Sequence, residues 1–116
     1  MSRVKRGTQS KKRKKNLLKH AKGFQYGRKS KFKLAKDALR HAWTYAYRDR
    51  KAKKRTFRNL WNLQINSLAR KNGIAYGRFI HGLKDKRIEI DRKILAELAN
   101  NYPEIFEKII EEVKAA

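Results

Sequence analysis

Residues 31–72 read KFKLAKDALRHAWTYAYRDRKAKKRTFRNLWNLQINSLARKN, 42 positions without a glycine or proline. Ser30 stands just before this run and suits a helix N-cap, and the pair Asn72-Gly73 at its end is typical of a helix C-terminus. We therefore predict one helix over residues 31–72. At about 1.5 Å per residue it would extend roughly 63 Å, which is more than a 116-residue globular protein can cover.

The surface of this predicted helix changes along its length. Its first half has a narrow apolar stripe of mostly small residues, namely Ala35, Ala38, Leu39, Ala42, Trp43, Ala46 and Tyr47. Residues 48–58 instead place Arg and Lys around the whole circumference. Because a protein core cannot accept charges on every side, we expect RNA to surround this segment.

Positive charge is concentrated in the first half of the chain. Residues 1–58 carry 23 Lys or Arg against two acidic residues, whereas residues 59–116 carry 10 basic and eight acidic residues. Like charges at that density repel within a Debye length of roughly 8 Å, so we expect this half to need a polyanion in order to fold compactly. Its predicted nucleic-acid contacts are Arg3, Lys5, Arg6, Lys11, Lys12, Arg13, Lys14, Lys15, Lys19, His20, Lys22, Phe24, Tyr26, Arg28, Lys29, Lys31, Lys33, Lys36, Arg40, Arg48, Arg50, Lys51, Lys53, Lys54, Arg55 and Arg58.

Residues 1–30 contain three glycines, several basic runs and almost nothing to bury. We interpret them as an extended arm with one helical stretch near residues 10–22, disordered in water by itself. Phe24 and Tyr26 lie between Gly23 and Gly27, where the sequence offers them no apolar neighbours. We therefore expect both rings to stack on unpaired RNA bases or to insert between them.

Three more aromatic residues, Trp43, Tyr45 and Tyr47, are interleaved with basic residues on the predicted long helix. This arrangement also suits stacking on bases and sugars. Trp43 and Tyr47 are four residues apart, so packing of these two rings on each other is the alternative.

After residue 57 the apolar spacing becomes that of a protein core. Four short helices are predicted there. Their apolar faces are Phe57, Leu60, Trp61, Ile65 and Leu68; Tyr76, Phe79, Ile80 and Leu83; Ile94, Leu95 and Leu98; and Ile105, Phe106, Ile109, Ile110 and Val113. Asp91 suits the N-cap of the third helix, and Pro103 suits the first position of the fourth.

These patterns predict an all-α fold. We expect an extended basic N-terminal arm and a long basic helix in residues 1–58, followed by a small four-helix RNA-binding domain in residues 59–116. In that domain eight of the ten basic residues precede the last helix, whereas Glu104, Glu107, Glu111 and Glu112 lie on it. A second RNA contact at the turns near residues 72–73, 78 and 81–84 is one interpretation of this distribution, and ordinary helix surface charge is the other.

The sequence gives little support to catalysis or to a bound cofactor. The three histidines are 21 and 40 residues apart, without the spacing of a metal-binding motif. Residues 73–78 lack the lysine of a phosphate-binding loop. Asp49, between Arg48 and Arg50, is better placed to hold those guanidinium groups than to act as a base. We expect no enzyme, no cofactor, no metal and no small-molecule substrate.

Other classes of protein are disfavoured as well. The chain has no cysteine, so it forms no disulfide. It has no run of about 18 apolar residues, and its first apolar cluster, Leu17-Leu18, is too short for a secretion signal. We expect neither a membrane association nor a cleaved leader.

Short motifs follow one another in order along nearly the whole chain. They are RVKRG at 3–7, AKGF at 21–24, YAYRDRK at 45–51, FRNLW at 57–61, IN at 65–66, NG at 72–73, Tyr76, RF at 78–79, GL at 82–83 and IEIDRK at 88–93. This set resembles the family of bacterial large-subunit ribosomal protein number twenty. Gln25 and Gln64 stand where that family commonly has Arg.

The resemblance implies a structural constituent of the large ribosomal subunit, bound to cytoplasmic ribosomes, that organises the RNA during assembly. Family members thread an arm and a long helix through the large-subunit (23S-type) rRNA, beside neighbouring ribosomal proteins. Their small domain recognises an rRNA junction, and in some bacteria it also binds its own mRNA and represses translation. The resemblance makes Arg78, Lys84, Arg92 and Lys93 the candidate contacts of that domain.

Two other functions fit part of the sequence. A nucleoid-type DNA-compacting protein would share the charge, but it would usually bring a dimer seam or a recognition helix, and no clear seam is visible. A cationic membrane-active domain would need a wide apolar face opposite the basic one, which residues 48–58 lack. We therefore favour the structural RNA-binding protein.

Overall fold

The computed structural model describes residues 2–115. Met1, in the first predicted domain, and Ala116, in the second, lie outside the described residues. Over that range the chain forms five α-helices and no strand. They are α1 (Gly7–His20), α2 (Phe32–Lys71), α3 (Tyr76–Asp85), α4 (Arg92–Asn101) and α5 (Pro103–Lys114). The predicted all-α class, the long helix and the four helical segments after residue 57 are confirmed.

The chain divides into two compact units, Met1–Lys51 (unit 1) and Ala52–Ala116 (unit 2). The division falls inside α2. The domain boundary predicted from charge lies seven residues later, also within this helix.

Both ends of α2 follow from local hydrogen bonding. The helix begins at Phe32, and the Lys31 carbonyl accepts its first bond from the Ala35 N–H at 2.8 Å. Lys31 is therefore the N-cap, and the prediction of Ser30 was wrong by one residue. At the other end Gly73 has φ 78°, and the Ile74 N–H donates to the Ala69 carbonyl at 3.0 Å. This is the Schellman ending that the Asn72-Gly73 pair predicted.

Unit 1 has a small apolar cluster that the sequence did not reveal. Ala21, Ala35 and Leu39 are fully buried, and Leu17, Leu18 and Phe24 pack around them. The helical part of the arm runs over Gly7–His20 rather than residues 10–22. The expectation that the arm has almost nothing to bury was wrong, because alanines too small to stand out in a hydrophobic pattern lie at the points of contact.

The core of unit 2 is formed by all four of its helical segments. Phe79 on α3 and Phe106 on α5 are fully buried, with ring centroids 5.3 Å apart. The other buried members are Ile65, Leu83, Leu95, Ala96, Ala99 and Ile110. Asp91 caps α4, its Oδ1 accepting from the Ile94 N–H at 2.8 Å, and Pro103 stands in the first turn of α5. Both capping predictions are confirmed.

Four residues predicted on core faces are instead partly exposed: Phe57, Leu60, Ile94 and Ile105, with 42–47% of their surface accessible. On α2 the packing against the unit 2 core begins only at Trp61. For Phe57 and Leu60 helical spacing gave the direction of the face, but it carries no information on how far along the helix a neighbour covers it. Ile94 and Ile105 instead lie at the edges of their faces, next to the buried Leu95 and Phe106.

Candidate nucleic-acid interface

The basic side chains of the first half are accessible. Every Lys and Arg between residues 2 and 58 is exposed, in α1, in the connecting turns of residues 21–31 and along α2. Within residues 48–58 every residue except Ala52 is exposed. The positive charge is therefore presented outward on consecutive turns, as contact with phosphates requires.

Aromatic rings on α2 are held by neighbouring cations. The guanidinium carbon of Arg48 lies 4.7 Å from the centre of the Tyr45 ring, and Lys51 Nζ lies 5.1 Å from that of Tyr47. These pairs are three and four residues apart, where helix side chains meet. Both tyrosines remain about half exposed, so the helix presents combined cation and ring surfaces.

Trp43 is also half exposed, and the edge of the His20 ring contacts it at a centroid distance of 5.8 Å. His20 was predicted to meet RNA; in the structure it connects the end of α1 to α2. The alternative in which Trp43 packs on Tyr47 finds no support, because Tyr47 instead carries Lys51 over its ring.

Asp49 has the role that the sequence suggested. Its Oδ1 accepts from Arg48 Nε at 3.1 Å, which confirms it as an internal partner of that guanidinium. Both groups are largely exposed, so the contact contributes little to stability and mainly orients the Arg48 side chain.

The two aromatic residues of the glycine-flanked loop differ. Phe24 packs on the cluster of Ala21, Ala35 and Leu39, so the view that it has no apolar neighbour was wrong. Tyr26 fits that view, because 86% of its surface is accessible. Its φ of 60° is in the left-handed region, which side chains larger than glycine rarely adopt.

In unit 2 one predicted contact residue is fixed by a hydrogen-bond chain. Arg92 Nε donates to the Tyr76 hydroxyl at 3.1 Å, and that hydroxyl donates to Asn62 Oδ1 at 2.9 Å. The chain links α2, α3 and α4 and holds Arg92 where one side remains accessible. Sequence reasoning missed Asn62 and treated Tyr76 as a core residue only, since nothing local indicates a contact over 14 residues.

The other predicted contacts of unit 2, Arg78, Lys84 and Lys93, are exposed. Arg78 and Lys84 are six residues apart on α3 and so project about 120° from each other around the helix axis. The structure does not place these two on one face. The four glutamates of α5 are also exposed, as expected for the acidic side of the unit.

Arg87 is a further candidate that sequence reasoning left out of the contact set. It follows Lys86, the C-cap of α3, and has φ 55°, while the Ile88 N–H donates to the Leu83 carbonyl at 2.9 Å. This is the same Schellman ending that Gly73 gives to α2, but with an arginine at the position that favours glycine. The sequence signals this only indirectly, because arginine follows Lys86 at the position where such a helix ending usually has glycine.

Neither a membrane-spanning helix nor a metal-binding cluster occurs in the described part of the chain. Between residues 2 and 115, no helix combines the length and the apolar character needed to cross a bilayer. In the same range, histidines and carboxylates do not gather in groups of three or more that could hold a metal ion.

Comparison with known proteins matches nearly the whole chain to one family. The family described as Ribosomal protein L20 matches residues 3–109. A large ribosomal subunit protein bL20 of Chloroflexus aggregans is 49% identical over 116 residues, covering 100% of this chain and 98% of the relative. One of Methylibium petroleiphilum is 52% identical over 115 residues, covering 99% and 98%. The chain therefore belongs to the ribosomal protein L20 family and is a structural, non-enzymatic constituent of the large subunit, found on cytoplasmic ribosomes.

Proposed function

We propose that both units bind the large-subunit rRNA directly and organise it while the subunit assembles. The observation that carries this proposal is the exposure of every Lys and Arg between residues 2 and 58, with two acidic residues among them. Cations distributed around a helix neutralise phosphates of RNA segments that would otherwise repel one another. Unit 1, with 19 of the 23 basic residues in this range, supplies most of that neutralisation, and neighbouring ribosomal proteins complete the environment of the bound chain.

Unit 2 adds a surface fixed by its own core. Arg92 is held by a hydrogen bond to Tyr76. Arg78 and Lys84 on α3 and Lys93 on α4 are exposed. A fixed guanidinium can recognise a particular RNA shape, whereas the dense charge of unit 1 favours any phosphate backbone. We infer that unit 2 selects the rRNA site and unit 1 contributes most of the affinity.

The salt dependence of RNA binding tests this division of roles. If about seven phosphates are neutralised, the logarithm of the binding constant should fall with the logarithm of salt concentration with a slope of about −5 to −6. Lys36→Gln in unit 1 should lower that slope by about one, and Lys108→Gln on α5, which makes the same charge change, should leave it unaltered. A slope near zero for the natural protein would contradict the proposal.

Crosslinking in cells distinguishes RNA from DNA. We expect large-subunit rRNA to be the predominant nucleic acid attached to the protein. Predominant chromosomal DNA would favour the nucleoid-type alternative instead.

We also propose the protein's own mRNA as a second ligand of unit 2. This unit has its own core, so its contact surface does not depend on unit 1. An mRNA that reproduces the shape of the rRNA site would bind there and block translation. A reporter carrying the mRNA leader should be repressed by the protein and released by Arg92→Gln; equal expression with and without the protein would refute this regulation.

A further inference from the structure

Unit 1 contains an open cleft between the loop after α1 and one face of α2. Its volume is about 560 Å³, within the range of small-ligand sites. Tyr26 and Arg28 line it from the loop, and Asp37, His41 and Tyr45 line it from α2. Rings, one cation and one carboxylate therefore converge on a space of ligand size inside a unit that otherwise presents positive charge.

Tyr26 provides the accessible ring of this cleft. It is 86% exposed and has the left-handed φ of 60°, between glycines that adopt that region without strain. A glycine at position 26 would suit the turn better, so the folding of the loop does not account for a tyrosine. A strained residue with an exposed ring in a cleft points to a role of the ring in binding.

Tyr45 has its ring already engaged. His41 stacks against it with a centroid distance of 6.1 Å and an angle of 24°, and the Arg48 guanidinium lies 4.7 Å from its centre. These contacts make Tyr45 a fixed wall of the cleft. A planar ligand would therefore stack on Tyr26.

Asp37 determines what kind of planar group fits. It is one of only two acidic residues in the first 58, and a carboxylate repels phosphate. An ionised carboxylate accepts hydrogen bonds with both oxygens and donates none. His41 Nε2 is 3.5 Å from Oδ1, too far for a strong bond, so both oxygens can receive a ligand's N–H groups. Among the RNA bases, guanine presents two adjacent N–H donors on its Watson–Crick edge.

We propose that this cleft binds a single unpaired guanine of RNA, stacked on Tyr26, with its N1–H and N2–H groups on Asp37 and its phosphate near Arg28. The proposal rests on the RNA binding proposed above and adds a base preference to it. Unit 1 then recognises one base in addition to the phosphates that its many cations contact.

The test uses the full-length protein and RNA hairpins that are identical except for one bulged nucleotide: guanine, inosine, adenine or none. Inosine keeps the N1–H donor and lacks the N2 amino group. Competition binding at high salt suppresses the contribution of nonspecific phosphate contacts. We expect the guanine bulge to bind roughly tenfold more tightly than the adenine bulge, within the range of a two-bond base contact, with inosine between them.

Two substitutions and one control variant locate the preference. Asp37→Asn should reduce the guanine-to-adenine ratio to about twofold or less, because an amide offers one acceptor and one donor group. Glu107→Gln makes the same charge change on α5, away from the cleft residues, and should leave the ratio unaltered. Tyr26→Gly keeps the turn and removes the ring, and should weaken the guanine-bulge complex roughly tenfold.

The outcomes separate the two proposals. If the natural protein binds all bulges within twofold, or if Asp37→Asn keeps the full guanine preference, the cleft proposal is overturned while general RNA binding stands. If no hairpin is bound even at low salt, the proposed function itself fails.

Discussion

The arginine that ends α3 allows a sharp test of how this backbone is stabilised. Arg87 has φ 55°, and a left-handed residue other than glycine is disfavoured by roughly 1–2 kcal/mol. Glycine removes that strain but increases the entropy of the unfolded chain, which offsets about 0.4–1 kcal/mol. We therefore expect Arg87→Gly to raise the free energy of unfolding by about 0.5–1 kcal/mol.

Thermal unfolding of the full-length protein, followed by circular dichroism, measures the effect. For a unit of this size the change corresponds to a rise in Tm of roughly 2–8 °C. Arg87→Ala is the matched control, because it removes the same charge and side chain but keeps the left-handed strain. The difference between the two variants isolates the backbone contribution.

Gly73 supplies the reciprocal experiment at the end of α2. It has φ 78°, and a Cβ there would meet only Lys114 Nζ, at an ordinary contact distance of 3.8 Å. Gly73→Ala should therefore destabilise the protein by about 0.5–1 kcal/mol through the backbone alone. If Arg87→Gly is no more stable than Arg87→Ala, the left-handed strain at this position is not what the geometry indicates. Weaker RNA binding by both variants would assign the Arg87 side chain a role in contact with RNA.

Three further predictions concern hydrogen bonding and packing in unit 2 and the folding of each half of the chain without RNA. Tyr76→Phe removes two hydrogen bonds and should lower the free energy of unfolding by about 1–2 kcal/mol and weaken RNA binding as Arg92→Gln does; unchanged RNA affinity in a binding titration would contradict the positioning of Arg92. Gly82→Ala brings a Cβ into the Val113 side chain, so denaturant unfolding should show a loss of about 1–2 kcal/mol, whereas Gly77→Ala, with nothing within 4 Å, should show no loss. Circular dichroism of fragments should find residues 59–116 helical and cooperative, and residues 1–58 largely disordered until RNA is added; a fully helical free arm would refute the dependence on RNA.

Local chemistry made much of this fold predictable. The long helix, the Asp91 cap, the Pro103 start and the burial of Phe79 and Phe106 depend on spacing and on residues whose preferences act within one turn. The exposure of the basic residues was equally predictable, since a charged side chain stays in water unless a tertiary partner buries it.

Contacts between distant residues were not predictable in the same way. The burial of Ala21 and Ala35 depends on α1 meeting α2, and alanine gives no hydrophobic signal of its own. The link from Asn62 through Tyr76 to Arg92 joins three helices. The exposure of Phe57 depends on where the neighbouring helices end, which the sequence of α2 does not contain.

The three buried residues of unit 1 have a consequence for the protein outside the ribosome. Burial of two alanines and one leucine provides only a few kcal/mol, far less than the ordering of some 50 residues requires. We expect molecules made in excess of rRNA to expose a lysine-rich, protease-sensitive segment, while those that find rRNA are protected. The number of surviving copies would then follow the supply of rRNA through degradation alone, even where translation is not repressed.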